Sequence, residues 1–131
     1  MPDSEPSDDL TILDEAELWR RIPPHWIIFD KNRGAKRPSS AAFDDHQNGS
    51  PMSVLLADLL SEVGRGASDV LADYEGYALA AITAGLARRC KQVVVRAPLR
   101  DVPAHAEVVG KKTDSVRKRF AVASRWVLPP P

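Results

Sequence analysis

The stretch that most constrains the fold lies in the last third of the chain, where an apolar segment with alternating polar residues, 104–109, stops at Gly110. Two lysines and a threonine follow, and apolar residues with helical spacing begin near Asp114. Alternation is typical of a half-buried strand, and recurrence at every third or fourth position is typical of an amphipathic helix. We therefore predict a strand, a basic turn and a helix over 114–127, with Thr113, Asp114 or Ser115 able to act as its N-cap.

The rest of the pattern predicts an α+β fold: a small mixed sheet of about four or five strands, packed against two or three helices. Residues 26–29 and 92–96 are rich in β-branched or aromatic residues and predict strands, and three consecutive valines indicate burial on both faces of the second one. Residues 53–63 carry helical spacing, whereas the basic, nearly apolar-free residues 31–40 predict a surface loop.

For two segments the sequence leaves the choice between helix and strand open. Residues 13–22 have acids early and bases late, which favours a short helix, but a strand over 18–22 also fits. Residues 74–89 have helical spacing interrupted by glycines, so that one helix competes with a strand over 77–82 followed by a single helical turn.

The domain organisation follows from composition. The chain has 131 residues, which is enough for one domain that buries roughly two-thirds of its unfolded surface. The acidic, proline-containing start predicts a disordered tail over 1–12, a single domain over 13–128 and a short proline tail over 129–131.

The charge is zero overall but unevenly distributed. Residues 1–30 carry net −6, residues 31–37 net +4, residues 38–75 net −6 and residues 76–131 net +8. Such segregation is typical of halves that attract each other within one fold, and also of a basic surface for a polyanion. A single cysteine, and the absence of a signal peptide or an apolar run of about 18 residues, favour a cytoplasmic protein without membrane contact.

The turn at Gly110 suggests an anion site, because a helix N-terminus beside Lys111 and Lys112 presents N–H and ammonium groups to one place. It is not a P-loop, since the earlier glycine of that motif is replaced by His105. An ordinary strand-to-helix turn with solvated lysines is the competing interpretation.

The sequence contains no complete motif for binding a metal ion or a cofactor. His105 and Glu107 match half of a zinc-deaminase signature, but the cysteine pair that completes it is missing. Three histidines and one cysteine show no zinc-ligand spacing. We predict no cofactor and no metal.

One enzymatic alternative rests on the order of residue types. Arg20 or Arg21, then Ser39–Ser40, then Glu107 follow the order used by ADP-ribosyltransferases of the arginine-serine-glutamate type, although the full motifs of that class are absent. For nucleic acid, the aromatic residues sit in apolar patterns that predict a core position, so sequence-specific recognition is not expected. These aromatic residues are Trp26, Phe29, Phe120 and Trp126.

Three segments together give a resemblance: RPSSAAF at 37–43, MSV at 52–54 and PAHAEVVGKKT at 103–113. In these the chain resembles a family of small bacterial proteins to which no activity is attached. The resemblance implies that the loop 37–43 and the turn 105–113 belong together.

The leading functional interpretation is a non-catalytic binding or regulatory module of a bacterial cytoplasmic system, contacting a small anionic ligand or a protein partner through its basic loops. The alternative is a small enzyme acting on a nucleotide-like substrate. The predicted ligand-binding residues are Arg37, Ser39, Ser40, His105, Lys111, Lys112 and Thr113.

Overall fold

A six-stranded antiparallel sheet forms the centre of the fold in the computed structural model, which describes residues 6–131. Its strand order is β6-β7-β4-β1-β5-β8, and β2 and β3 form a separate antiparallel hairpin. The strands are β1 (Glu17–Ile22), β2 (Ile27–Asp30), β3 (Ala35–Pro38), β4 (Met52–Leu56), β5 (Ala78–Thr83), β6 (Val93–Arg96), β7 (His105–Val109) and β8 (Arg125–Leu128). The helices are α1 (Ala57–Glu62), α2 (Ala67–Val70), α3 (Ala84–Arg89) and α4 (Asp114–Ala123), with 3₁₀ turns at Pro24–Trp26 and Ser40–Phe43.

The α+β class is confirmed, but the mixed sheet of four or five strands is wrong, since every ladder is antiparallel and the sheet has six strands. Helical spacing was misleading in β4 and β5. Each of these strands lies between two neighbours and is covered on both faces, so its apolar residues do not alternate. In 13–22 and 74–89 the strand alternative was the right one, and the predicted helix 53–63 is a strand followed by α1.

Smaller corrections concern element ends. The predicted loop 31–40 contains β3, which pairs with β2. The helix predicted to reach Val127 ends at Ala123, and the chain reverses after Ser124 to form β8. β6 is an edge strand with only Val94 fully buried, so its three valines do not signal burial on both faces.

Two apolar clusters cover the two faces of the sheet. On one face Leu18 and Ile22 of β1 pack beneath the Ser40–Phe43 turn and α4, where Phe43 and Phe120 meet edge to face at 6.1 Å. On the other face Leu55 packs with residues of α1 and α2, among them Leu60 and Val70. The short helices α1 and α2 leave the β4–β7 part of this face only half-buried.

The ordered domain begins before residue 13. Ile12 is 3% exposed and belongs to the core, and Asp9 N donates to Val94 O of the edge strand β6. Arg88 pairs with Asp8 at 2.8 Å and Arg96 pairs with Asp9 at 3.0 Å. The acidic segment therefore docks on basic side chains of the domain, while the part of the predicted tail at residues 1–5 lies outside the described residues.

The described helices offer no membrane-spanning segment, because none of them combines the required length with an apolar composition.

Candidate functional site

The ladder between β1 and β4, in the middle of the central sheet, is incomplete. Only Leu18–Leu56 and Trp19–Leu55 pair across it, whereas β1 pairs with β5 over six residues and β4 with β7 over four. The sheet is therefore two three-stranded halves that meet along a short seam and then separate.

A cleft opens where the two strands separate, and we call it the seam cleft. Its volume is about 290 Å³, at the lower end of the range for small-molecule sites. Its wall is formed by two arginines, two histidines, a serine, a tryptophan and two aliphatic residues. The lining residues are Trp19, Arg20, Arg21, His46, Ser53, Val54, Leu55 and His105.

Arg20 closes the seam from the side of the main core. Its side chain lies on the same face of β1 as those of Leu18 and Ile22, and its guanidinium binds one carbonyl of β4 and one of the Ser40–Phe43 turn. Nε donates to Ala42 O at 2.9 Å and Nη1 donates to Ser53 O at 2.7 Å. Burial lowers the pKa of Arg20 to about 10, while the carboxylates of Asp45 and Asp44 oppose this shift, so the group is charged at neutral pH.

Arg21 faces the opposite side of the sheet, where its guanidinium is fixed while part of its hydrogen-bond donors have no partner in the described residues. Nε donates to Val70 O at 3.0 Å, and the guanidinium carbon lies 4.2 Å from the centre of the Tyr74 ring. Within residues 6–131 its two terminal nitrogens form no hydrogen bond or ion pair. A fixed guanidinium with free donors is suited to a carboxylate or phosphate. Arg21 also lines a neighbouring cavity, which it shares with Val70, Tyr74 and three aspartates, Asp69, Asp73 and Asp101.

The imidazole of His105 is oriented by the chain around it. Its Nδ1 lies 2.8 Å from Ala97 O, and a carbonyl oxygen only accepts, so Nδ1 carries the proton. In the neutral ring Nε2 is then an acceptor directed away from that bond.

A second imidazole approaches from the loop before β4. His46 Nε2 lies 3.1 Å from Ser53 Oγ, within hydrogen-bond distance. Ser53 is directly opposite Glu107 in the β4–β7 ladder, so that both side chains lie on one face of the sheet.

Of the seven residues predicted from the sequence, only His105 lines this cleft. Lys112 is enclosed instead: its side chain is 1% exposed and its ammonium donates to Asp45 Oδ1 at 2.9 Å, Val108 O at 2.8 Å and Gly110 O at 3.1 Å. Three acceptors use its three protons, so the prediction of two ammonium groups aimed at a ligand is wrong for this one.

The other residues of the turn are divided between structure and solvent. Thr113, one of the three N-cap candidates, is the N-cap of α4, with Oγ1 accepting from Val116 N at 3.2 Å. Lys111 is exposed, and its carbonyl accepts from Gln92 Nε2 at 2.9 Å. Gly110 has φ +153°, and a Cβ there would lie 2.7 Å from Gln92 Oε1, so the turn is shaped by packing against Gln92.

The loop residues are on the other side of the sheet. Arg37 Nε donates to Asp30 Oδ2 at 2.8 Å, and Ser39 N donates to Trp26 O at 2.7 Å. Ser40 begins the 3₁₀ turn that packs against α4. The structure thus places this loop next to α4, the helix that follows the basic turn, and not next to His105.

Sequence reasoning missed Trp19, His46 and Ser53 as site residues and considered Arg20 and Arg21 only for the ADP-ribosyltransferase alternative. One signal was present: Arg20 stands between Leu18 and Ile22 at the same parity, so in a strand its charge must enter the core and find partners. That signal is visible only when residues 17–22 are read as a strand.

Among residues 6–131 there is no group of three or more histidine, cysteine, aspartate or glutamate side chains that could hold a metal ion. Comparison with known proteins found no matching family model, no matching curated protein and no matching solved structure.

Proposed function

We propose that the protein is a non-catalytic binding or regulatory module that holds a small anionic ligand in the seam cleft. The observation that supports this most directly is Arg21, whose guanidinium is fixed by Val70 O and the Tyr74 ring while its terminal nitrogens are free of partners in the described part of the chain. A preformed guanidinium at the wall of a cleft loses little freedom on binding an anion.

The remaining wall supplies orientation. His105 offers one ring nitrogen, Ser53 a hydroxyl and Trp19 an indole whose Nε1 donates to Glu17 Oε1 at 3.1 Å. A few polar groups that converge on a partly apolar wall are the usual arrangement of a small-molecule site. The volume limits the occupant to a small ligand or to one end of a larger one.

The setting of this function is also part of the proposal. The single cysteine, Cys90, is buried and unpaired, which fits the reducing cytoplasm, and the sequence resemblance implies a bacterial source. A protein partner is proposed to contact the exposed side of the basic turn, where Lys111 has no ion pair within residues 6–131.

The test is a thermal-shift screen of inorganic phosphate, nucleoside mono- and triphosphates, NAD and sugar phosphates. A ligand at about 100 times its Kd stabilises the fold by roughly 2.7 kcal/mol, which a melting curve resolves. We expect one compound to raise the melting temperature, and Arg21→Gln and His105→Gln each to remove the shift.

Arg100→Gln is the matched control, because Arg100 is exposed and is not one of the residues that line the cleft. Lys111→Gln tests the basic turn by the same readout. If Lys111→Gln removes the shift and Arg21→Gln does not, the ligand binds at the turn and the cleft proposal fails.

A second candidate is an enzyme acting on a nucleotide-like substrate, with an ADP-ribosyltransferase-like reaction as one version. It is favoured by the His46–Ser53 contact and by arginine, serine and glutamate on three neighbouring strands, at Arg21, Ser53 and Glu107. Here Ser53 replaces the predicted Ser39–Ser40 pair. A compound that binds should then be converted over hours, as followed by NMR, and Ser53→Ala and Glu107→Gln should stop conversion while binding persists.

A further inference from the structure

The second feature of the surface that suggests a ligand is an exposed aromatic residue on the β2–β3 hairpin. Phe29 was predicted to be a core residue, but it is 62% exposed. Lys36 lies directly opposite it in the ladder and is also exposed, so the two side chains stand together on one face of the hairpin. Phe120 is fully buried, and Trp26 and Trp126 are partly buried against the core, so Phe29 alone of the four aromatic residues departs from the prediction.

A groove runs beside this pair. It has a volume of about 360 Å³ and is lined by Ile28, Phe29 and Lys36 from the hairpin and by Pro130 and Pro131 from the C-terminal segment. Its wall therefore combines an aromatic ring, aliphatic and proline surface, and one ammonium group. This arrangement offers a flat apolar partner for a planar ring, with a cation beside it.

The hairpin turn is attached to the end of α4, which extends the positive charge. Arg33 Nη2 donates to Val122 O, and α4 packs directly against β3. Lys118 lies one turn before Val122 on this helix, and Arg119 follows it. Within residues 6–131, no carboxylate pairs with Lys31, Lys36, Lys118 or Arg119, whereas the nearby Asp30 is already paired with Arg37.

We propose that this hairpin surface, formed by Phe29, Lys31, Lys36, Lys118 and Arg119, binds single-stranded nucleic acid without sequence selectivity. Unpaired bases stack on exposed aromatic side chains, and phosphates follow a line of cations. Phe29 stacks with one base at the groove, and the lysines and Arg119 neutralise phosphates on either side.

The chemistry favours a single strand over the other polyanions. A duplex keeps its bases stacked on one another and offers nothing to Phe29, so only the charges would contribute to its binding. Every base has a flat face, which explains why such a site needs no base-specific side chains and agrees with the absence of a sequence-reading motif. The surface is separate from the seam cleft, so the inference does not depend on the proposed ligand there.

The test is fluorescence anisotropy with a labelled oligothymidylate of about 12 nucleotides, which is within the range one small domain covers. At about 50 mM salt we expect binding, and at about 200 mM salt much weaker binding. Phe29→Ala should weaken the affinity about tenfold or more, since one stacked base is lost. Lys36→Gln should lower the slope of log K against log salt by about 0.7, because one phosphate contact is removed.

Conservative variants separate stacking from general apolar contact. Phe29→Trp should keep the affinity, and Phe29→Leu should reduce it nearly as far as Phe29→Ala. Leu99→Ala and Arg100→Gln are matched controls, because both residues are exposed in the 97–104 loop and lie outside the hairpin surface. Melting curves of all variants report that the fold is retained.

Three results would overturn the proposal. The first is no binding of the oligothymidylate at about 50 mM salt. The second is equal affinity for a duplex of the same length. The third is an affinity that Phe29→Ala and Leu99→Ala leave equally unchanged, which would indicate diffuse attraction by net charge.

Discussion

The basic turn at 110–113 and the seam cleft carry similar side chains and differ in what those side chains are free to do. In the turn, the ammonium of Lys112 has three acceptors within the protein. In the cleft, Arg21 has one hydrogen bond and an aromatic ring, and its terminal nitrogens have no partner in the part of the chain that the structure describes. A basic residue is therefore a good candidate for ligand binding only when its hydrogen-bond donors have no partner within the folded protein.

The largest expected effect on stability comes from replacing Lys112, whose ammonium group is enclosed by its three acceptors. Lys112→Met should lower the free energy of unfolding by about 3 kcal/mol, because it leaves the carboxylate of Asp45 and two carbonyls without their donor. This is the lower end of the range for buried pairs, since the Asp45 side chain is 34% exposed. Urea denaturation measures it.

Lys111→Met is the matched control for that change. The side chain of Lys111 is exposed, and its substitution should alter stability by less than about 0.5 kcal/mol. Equal effects of the two substitutions would show that Lys112 is not held by these acceptors.

The next effect concerns the shape of the same turn. Gly110→Ala should lower the free energy of unfolding by about 2 kcal/mol, because it combines a positive φ with a Cβ only 2.7 Å from Gln92 Oε1. Gly49→Ala also has a positive φ but meets nothing within 4 Å, so it should lose about 1 kcal/mol. If both substitutions lower the free energy of unfolding equally, the Gln92 side chain moves aside at no cost, and packing against it does not define the turn.

Two carboxylates with lowered pKa values, Asp9 and Glu17, should contribute to the pH dependence of stability. Hydrogen bonds from Thr11 are the main cause that lowers the pKa of Asp9, and the hydrogen bond from Arg125 lowers the pKa of Glu17. A carboxyl group whose pKa is lowered by folding contributes stability above its unfolded pKa, and this is lost as the pH falls through the lower folded value. Stability should therefore be level above about pH 5 and decline below about pH 4.

Asp9→Asn should make this acid decline shallower, as followed by urea denaturation between pH 6 and pH 3. Asp101→Asn is the control, because Asp101 is exposed and no ion pair involves it in residues 6–131. An unchanged decline with Asp9→Asn would mean that the docked acidic segment adds nothing to stability.

A smaller effect on stability than those of Lys112→Met and Gly110→Ala is expected when Arg21 is replaced. Arg21→Gln should change the free energy of unfolding by about 1 kcal/mol or less, since one hydrogen bond and one half-exposed cation–π contact are removed. The same substitution should abolish ligand binding in the cleft. A loss of stability as large as that of Lys112→Met would show that Arg21 is a structural residue.

The local pattern of apolar residues predicted the elements that bury one face only. β7 alternates, α4 carries its apolar residues at helical spacing, and Thr113 caps the helix as expected. β4 and β5 did not alternate, because both lie inside the sheet with packing on each face, and their spacing imitated a helix. The strand count failed for this reason.

The candidate site was less predictable than the fold. His105 was found because a histidine before a glutamate on a strand is conspicuous, but its neighbours in the cleft come from β1, from β4 and from the loop before β4. Arg21 and Ser53 are 32 positions apart in the chain, and no local pattern relates them. They come to one cleft only because the β1–β4 ladder stops after two pairs.

The sequence by itself determined the α+β class, the strand, turn and helix of the last third, and the capping of that helix, since each depends on residues within a few positions of one another. The tertiary structure decided which strands are neighbours and which polar groups find partners. Lys112 and Arg21 illustrate the reason. A side chain's donors are satisfied or left free by atoms remote in the chain, and only the folded arrangement brings those atoms within hydrogen-bond distance.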